Sequence, residues 1–422
     1  MEDFAGPLIR IEINNEEPED DIPLLIDYNS EHCSCIHYAS TIIVLFIVLC
    51  FSFVSSKAII RKEFDFYTNN SVYTGINIDI NGTIPLNGFL FCKLKMNGFN
   101  ASYVTGLASY TIFSEKKGIN YSIAFNQSSL ADMPSFRSLL VDFQKVEIDI
   151  LFNELIPHII VIYEYFCSKF NLLKGYLMGI CSVISIIQSV MFFIKTQNTK
   201  ISFEQELTKG LCFCLVLYND PFYLINLFRP SYFSFIRHEI FHDLFICYLF
   251  FYLIALSYYF DKDPSMSKKL NVAIPYLFMI VCVTYLLSEI ALLPLNNIQH
   301  IFGDYSMANE QFNESFYYVF FSFSVFYLIR MFQIKDCIRP DHEQRFNIYS
   351  RIMNAFISFI VLIFVVYSFS PTFSAPHYLL IGVFTSVSLI FISLHMPIDD
   401  NDINTYKLQE DAEQINSESL IE

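Results

Sequence analysis

The stretch HYASTIIVLFIVLCFSFVSS, residues 37–56, decides how the rest of the chain is read. It contains no Asp, Glu, Lys or Arg, and at ~1.5 Å of rise per residue it is long enough to cross ~30 Å of hydrocarbon as a helix. It follows an acidic tail of some 36 residues, whereas a cleaved signal peptide opens on a short basic region. We therefore read residues 38–56 as a transmembrane signal anchor and residues 1–37 as an acidic cytosolic tail.

Outward from this block the composition agrees with a membrane body. Of the 422 residues 54% are hydrophobic and only 16% charged, with a mean hydropathy of +0.42; soluble domains average about 25% charged. The net charge of −16 is confined to the ends. Residues 1–37 hold ten Asp/Glu against Arg10, and residues 397–422 hold eight against Lys407. The core between them is neutral, which argues against a nucleic-acid partner, since that requires Lys and Arg to neutralise phosphates.

Residues 57–150 change character. Ile76, Ile78 and Ile80 alternate with polar residues, as do Leu90, Cys92, Leu94 and Met96, and a Lys-Gly turn divides ASYTIFSEKKGINYSIAFN. Period-two patterning with turn residues predicts β-strands, and the length suits one small β-sandwich. Glycosylation sequons at Asn69, Asn81, Asn100, Asn120 and Asn126 place this domain in the lumen, and Asn313 supplies a sixth. Residues 151–173 are expected to be a linker.

Seven further apolar blocks follow, at about 174–195, 207–228, 239–260, 271–293, 316–335, 350–369 and 377–396. They predict a seven-helix transmembrane domain over 174–396 and an acidic cytosolic tail over 397–422. With 57–173 luminal, the cytosolic loops hold Lys195, Lys200, Lys262, Lys268, Lys269, Arg330, Lys335, Arg339, Arg345 and Arg351, while the luminal loops hold only Arg229 and Arg237. This is the bias of the positive-inside rule, and it puts both termini in the cytosol.

Most of the eleven cysteines lie in apolar blocks, where Cys behaves as a small hydrophobe. Cys92 and Cys167 would share the oxidising lumen, which would permit a disulfide. Cys33 and Cys35 are either free thiols or palmitoylation sites.

HEIFH (238–242) has the spacing of a helical zinc-hydrolase motif, with His238 and His242 one turn apart and Glu239 as general base. It is expected at the luminal mouth of its helix, with Asp220 and His300 as the nearest further ligands and Glu289 and His395 in later spans. Polar residues at a helix end, with no metal or cofactor, are the competing reading, and a pH-sensing pair the third.

ISFEQELTKGLCFCLVLYNDPFYLINLF (201–228) places Asn219 and Asp220 before Pro221 inside an apolar block. Proline predicts a kink, and an Asp in a span is costly unless it faces a partner or a wet cavity. The ligand-cavity candidates are therefore Asn219, Asp220, Glu289, His238 and His242. Glu289 and Arg330 are either buried partners, or Arg330 reaches the interface along its long side chain. In the first tail, EEPEDDIPLLIDY (16–28) sets Asp20 four positions before Leu24 and Leu25, the pattern of a clathrin-adaptor sorting signal; a disordered acidic tail is the alternative.

The E-Q pair opening 201–228, the Y-N-D-P-F-Y run, the aromatic helix after R-H-E-I-F-H-D and a last span ending H-M-P resemble the Wntless-like (transmembrane protein 181) family. The order of one span, a luminal β domain and seven helices is similar too. The resemblance implies a GOLD-type luminal sandwich, no enzymatic activity and a receptor of the secretory and endosomal system, in Golgi, endosomal or plasma membrane. In Wntless itself the cargo is a lipidated protein held in the bundle; the match around Asn219, Asp220 and Pro221 does not extend that cargo to this chain. The expected partners are membrane lipid, a luminal or extracellular protein or lipidated ligand, and clathrin adaptors. A G-protein-coupled-like receptor is the second reading, although YYFDKD stands where a DRY triad would and no NPxxY closes the last span. A zinc-dependent membrane hydrolase is the third.

Overall fold

The computed structural model describes residues 24, 26, 38–54, 57–67, 73–79, 89–97, 104–114, 118–127, 135–139, 143–152, 158–197, 201–228, 232–260, 280, 283–284, 298–301, 314–335, 338, 343–369 and 373–397. In chain order these form α1 (Ala39–Phe53), β1 (Ile59–Tyr67), β2 (Tyr73–Asp79), β3 (Phe89–Asn97), β4 (Val104–Ser114), β5 (Gly118–Gln127), β6 (Ser135–Leu139), β7 (Phe143–Phe152) and β8 (His158–Phe166). Then come α2 (Ser168–Thr196), α3 (Phe203–Tyr218), α4 (Tyr223–Phe228), α5 (Tyr232–Tyr259), β9 (Ile298–Ile301), α6 (Glu314–Ile334), α7 (Glu343–Phe369) and α8 (Ala375–Leu394). The expected spans at 271–293 and the residues Glu289 and Asn313 lie outside the described set, apart from Ile280, Val283 and Thr284.

The strands build two antiparallel sheets, ordered β1-β8-β3-β6-β9 and β2-β7-β4-β5. One sequence expectation needs correction here. The stretch 151–173 is not a linker: β7 ends at Phe152, β8 occupies 158–166 and α2 begins at Ser168. HIIVIYEYF is rich in β-branched and aromatic residues, and it is a central strand between β1 and β3. An apolar run buried on both faces lacks the alternation that marks a half-exposed strand. The strand register also bears on Cys92 and Cys167, whose pairing the sequence left open. Register sets Cys92 opposite Tyr163, four residues before Cys167 and so ~13 Å along the strand. Disulfides need Cα atoms within ~7 Å, and Cys167 is a free thiol. One strand was not foreseen: β9 comes from the segment between α5 and α6 and pairs with β6, from Ser135↔Ile301 to Ser138↔Ile298.

Among the described residues four helices, within 169–196, 240–259, 343–369 and 375–394, are long and apolar enough to cross a membrane, and α1 and 320–334 are shorter apolar helices. The α8 span is 78% buried inside the protein, against 33% for α7 and 44% for α2. It is therefore the central post, and it packs against α1, α2, α3 and α7. Its small residues make this close packing feasible. Ser388 and Ser393 turn their hydroxyls back to the carbonyls of Phe384 and Leu389, at 3.0 and 2.9 Å, so neither is left unpartnered in the core. The outer helices leave Val183, Ile187, Phe359, Leu362 and Val365 exposed, the surface a bilayer would cover.

Two isolated bridges mark the ends of the bundle. Lys57 pairs with Phe373 at one end, beside the sheets, and Leu24 pairs with Pro397 at the other. The α1–α8 pair is thus antiparallel and pinned at both ends. Between the pins, a Cβ on Gly382 would come within 2.5 and 2.7 Å of the two Val48 methyls. Gly382→Leu is expected to wedge α1 from α8 at a cost of about 1–3 kcal/mol. Thermal unfolding of the detergent-purified protein checks this, and an unchanged transition would refute the close packing.

Candidate functional site

Two polar clusters lie in the bundle, one at the break between α3 and α4, the other at the end away from the sheets. At the first, the block 207–228 is not a kinked helix but two helices separated by a turn. Asn219 caps α3, its N–H reaching the Leu215 carbonyl at 3.2 Å, while the Asp220 N–H reaches the Leu217 carbonyl at 2.9 Å. Asp220 then turns to φ 31°, a left-handed conformation that Asp tolerates better than most residues. Its carboxylate accepts from the Phe222 N–H at 3.2 Å, and its carbonyl accepts from the Tyr223 N–H at 2.9 Å. Pro221, lacking an N–H, adds no donor that the break would leave unsatisfied. The turn closes locally, so the chain can re-enter a helix at once.

Asn219 is fully buried, and its amide is satisfied on both sides. It donates to Ser185 Oγ at 3.0 Å and to the Leu215 carbonyl at 3.3 Å, and accepts from Thr385 Oγ1 at 3.1 Å. Thr385 stands about 15 Å from either end of α8. The break is therefore at mid-depth in the bundle. Asn219 serves as a bracket joining α2, α3 and α8.

Asp220 is buried, with no exposed side-chain surface, and Arg237 Nη2 donates to both of its oxygens at 3.2 Å. His238 Nδ1 lies 3.7 Å from Oδ2. Arg237 also lies over the Phe222 and Phe241 rings, and the His238 ring meets Tyr223 at 4.9 Å. His242 instead packs on Tyr218, ring centroids 5.1 Å apart. The two histidines of HEIFH thus belong to different surroundings: His238 joins the Asp220 group, and His242 joins an aromatic stack continued by Phe245 and Phe384. His300 is on β9, in register with Phe136. The Glu239 side chain is outside the described set. Among the described residues no three metal-ligating side chains converge. Arg330 lies over the Tyr258 ring at 4.0 Å.

The second cluster was not anticipated from the sequence. Its centre is His395, fully buried just past the end of α8. Tyr349 Oη contacts its Nε2, while Thr208 Oγ1 and Tyr252 Oη reach its Nδ1 at 2.5 and 3.1 Å. Gln205 does two jobs. Its side-chain oxygen accepts from the Ser202 N–H in a capping box that starts α3, and its nitrogen donates to the His395 carbonyl at 3.1 Å. One residue earlier, Glu204 pairs with Arg345 Nη1 at 3.0 Å. Both are buried, at 0% and 4% exposure, so the pair is shielded from water and salt. The cluster joins α3, α5, α7 and the end of α8. Beside it a small apolar cavity lies among α5, α6, α7 and α8, lined by Ser257, Tyr327, Tyr349 and Phe391 among others, with room for about one water. None of Asn219, Asp220, His238 and His242 lines it.

The motifs behind the resemblance, far apart in sequence, meet in space: the E-Q pair is Glu204–Gln205, and the H of H-M-P is His395. The family model described as the Wntless-like transmembrane domain matches residues 167–403, more than half of the chain. The chain belongs to the Wntless-like family. The matched interval starts one residue before α2 and runs past α8, so it contains both polar clusters and β9. No curated protein matches the chain. Family and apolar helices together make this an integral, multi-pass membrane protein.

Two outcomes test the clusters as structural joints. Arg345→Leu leaves Glu204 charged, buried and uncompensated, at an expected cost of about 3–5 kcal/mol; Glu204→Leu combined with Arg345→Leu should recover most of it. Asn219→Ala is expected to cost about 1–3 kcal/mol by stranding its partners at mid-depth. Thermal unfolding in detergent reads both. A double variant no more stable than Arg345→Leu would count against the buried pair.

Proposed function

We propose that this Wntless-like protein is a non-enzymatic trafficking or cargo receptor of the secretory and endosomal membranes. It presents its β sheets to the lumen and keeps both acidic tails in the cytosol. The observation that carries the reading is the separation of the two bridges. Lys57–Phe373 stands where the chain enters and leaves the sheets, and Leu24–Pro397 joins the two tails at the opposite end of the bundle. The charge bias assigns cytosol to the tail side, and the sequons assign lumen to the sheet side. Asn120 and Asn126 lie on β5, an edge strand, an even number of residues apart and so on one face of it.

On this reading the two sheets are a GOLD-like sandwich. Seven spans follow the α1 anchor: α2, the broken α3–α4 pair, α5, the 271–293 block, α6, α7 and α8. An even total returns the second tail to the side of the first. The Asp220–Arg237–His238 group, at mid-depth behind a helix break, is the candidate for contact with a ligand entering from the lumen. It offers a carboxylate and a guanidinium, with an imidazole beside them, framed by Phe222, Tyr223 and Phe241. The tail signal Asp20, Leu24 and Leu25 would recruit clathrin adaptors.

Two measurements test this. Endoglycosidase treatment should increase the gel mobility of the mature protein, and an antibody to residues 1–30 should stain cells only after permeabilisation; the opposite results would invert the topology. Replacing Leu24 and Leu25 with alanine should raise the cell-surface fraction several-fold, and an unchanged distribution removes the sorting signal.

A further inference from the structure

The first tail meets the bundle at one described place. Leu24 and Ile26 are fully buried and belong to the same hydrophobic core as α8 and its neighbours. The Leu24 backbone pairs antiparallel with Pro397, two residues beyond His395. Pro397 is therefore held where the His395 cluster fixes the end of α8. Leu24 is also the first leucine of the pattern Asp20-x3-Leu24-Leu25. An adaptor would take that stretch as an extended peptide with its leucines in an apolar pocket. One side chain cannot fill two apolar sites at once.

We propose that the bundle end competes with the adaptor for Leu24, so that the docked tail is the closed form of the sorting signal. The proposal rests on the trafficking reading above and adds its regulation. Among the described residues of the first tail, the closed form buries two aliphatic side chains and makes one bridge, and opening it returns conformational freedom to the residues it holds. Closed and open forms therefore stay within reach of each other. A partner that sees only the open form binds with its intrinsic affinity reduced by the open fraction. The His395 cluster gives the bundle a way to set that fraction. It anchors α8 through α3, α5 and α7, and a shift of those helices moves the residue on which Leu24 pairs.

Ile26 separates the two roles, since it is buried in the closed form but is not part of the Asp20, Leu24 and Leu25 pattern. The test compares the binding of a purified clathrin-adaptor core to a peptide of residues 16–30, to the full chain in nanodiscs, and to the full chain carrying Ile26→Ser. A peptide with the same substitution is the control. With one-tenth of the tail open, the full chain should bind roughly tenfold more weakly than the peptide. Ile26→Ser should bring it within about twofold of its own peptide, and the milder Ile26→Ala should fall between. If the full chain binds as tightly as the peptide, or if neither substitution tightens it, the closure is overturned while the sorting signal stands. If the peptide itself does not bind, the sorting signal fails and the closure fails with it.

Discussion

The contacts that converge on the His395 side chain hold the bundle to its shape. Thr208, Tyr252 and Tyr349 bring one hydroxyl each from α3, α5 and α7, and Gln205 takes the His395 carbonyl. In an apolar interior a polar group left without a partner costs several times what a satisfied one returns. The three helices are therefore obliged to meet the end of α8 at one point. Asn219 imposes the same obligation at mid-depth on α2, α3 and α8. Between these two points lies the second half of α8, the least exposed of the long apolar helices among the described residues. Van der Waals packing then fills what the polar joints have aligned: Val48 against Gly382, Phe250 stacked on Phe323 at 4.1 Å, and Tyr218 on Phe245 at 4.3 Å.

The sequence was most legible where a single physical rule dominates. Hydropathy located the long described helices, except that the 207–228 block is broken in two, and period-two patterning located β2, β3, β4 and β5. The resemblance to the Wntless-like family was readable from a few short motifs. It failed where two rules compete. HIIVIYEYF reads as an apolar linker because a strand buried on both faces loses its alternation. The run around Pro221 reads as a kink, since only backbone geometry shows that Asp220 turns left-handed and ends the helix.

The second cluster was hidden for another reason. Arg345 was counted as one more loop cation and His395 as a polar residue of a later span. Each is correct along the chain, yet Glu204 and Arg345 are 141 residues apart, and Thr208 and His395 are 187. No local pattern reports such a pairing. The one usable signal was the S-x-x-Q capping box at Ser202, which announces a helix start with a glutamine side chain still able to donate outward.

The pairing of β9 with β6 has a practical consequence. The sheet is completed by a strand that belongs to the helical half of the protein. A soluble fragment ending after β8 would therefore expose the β6 edge, a row of backbone donors and acceptors ready to recruit another chain. Whoever excises the sheets for biochemistry should graft Ile298–Ile301 back on, or expect the excised piece to self-associate along that border.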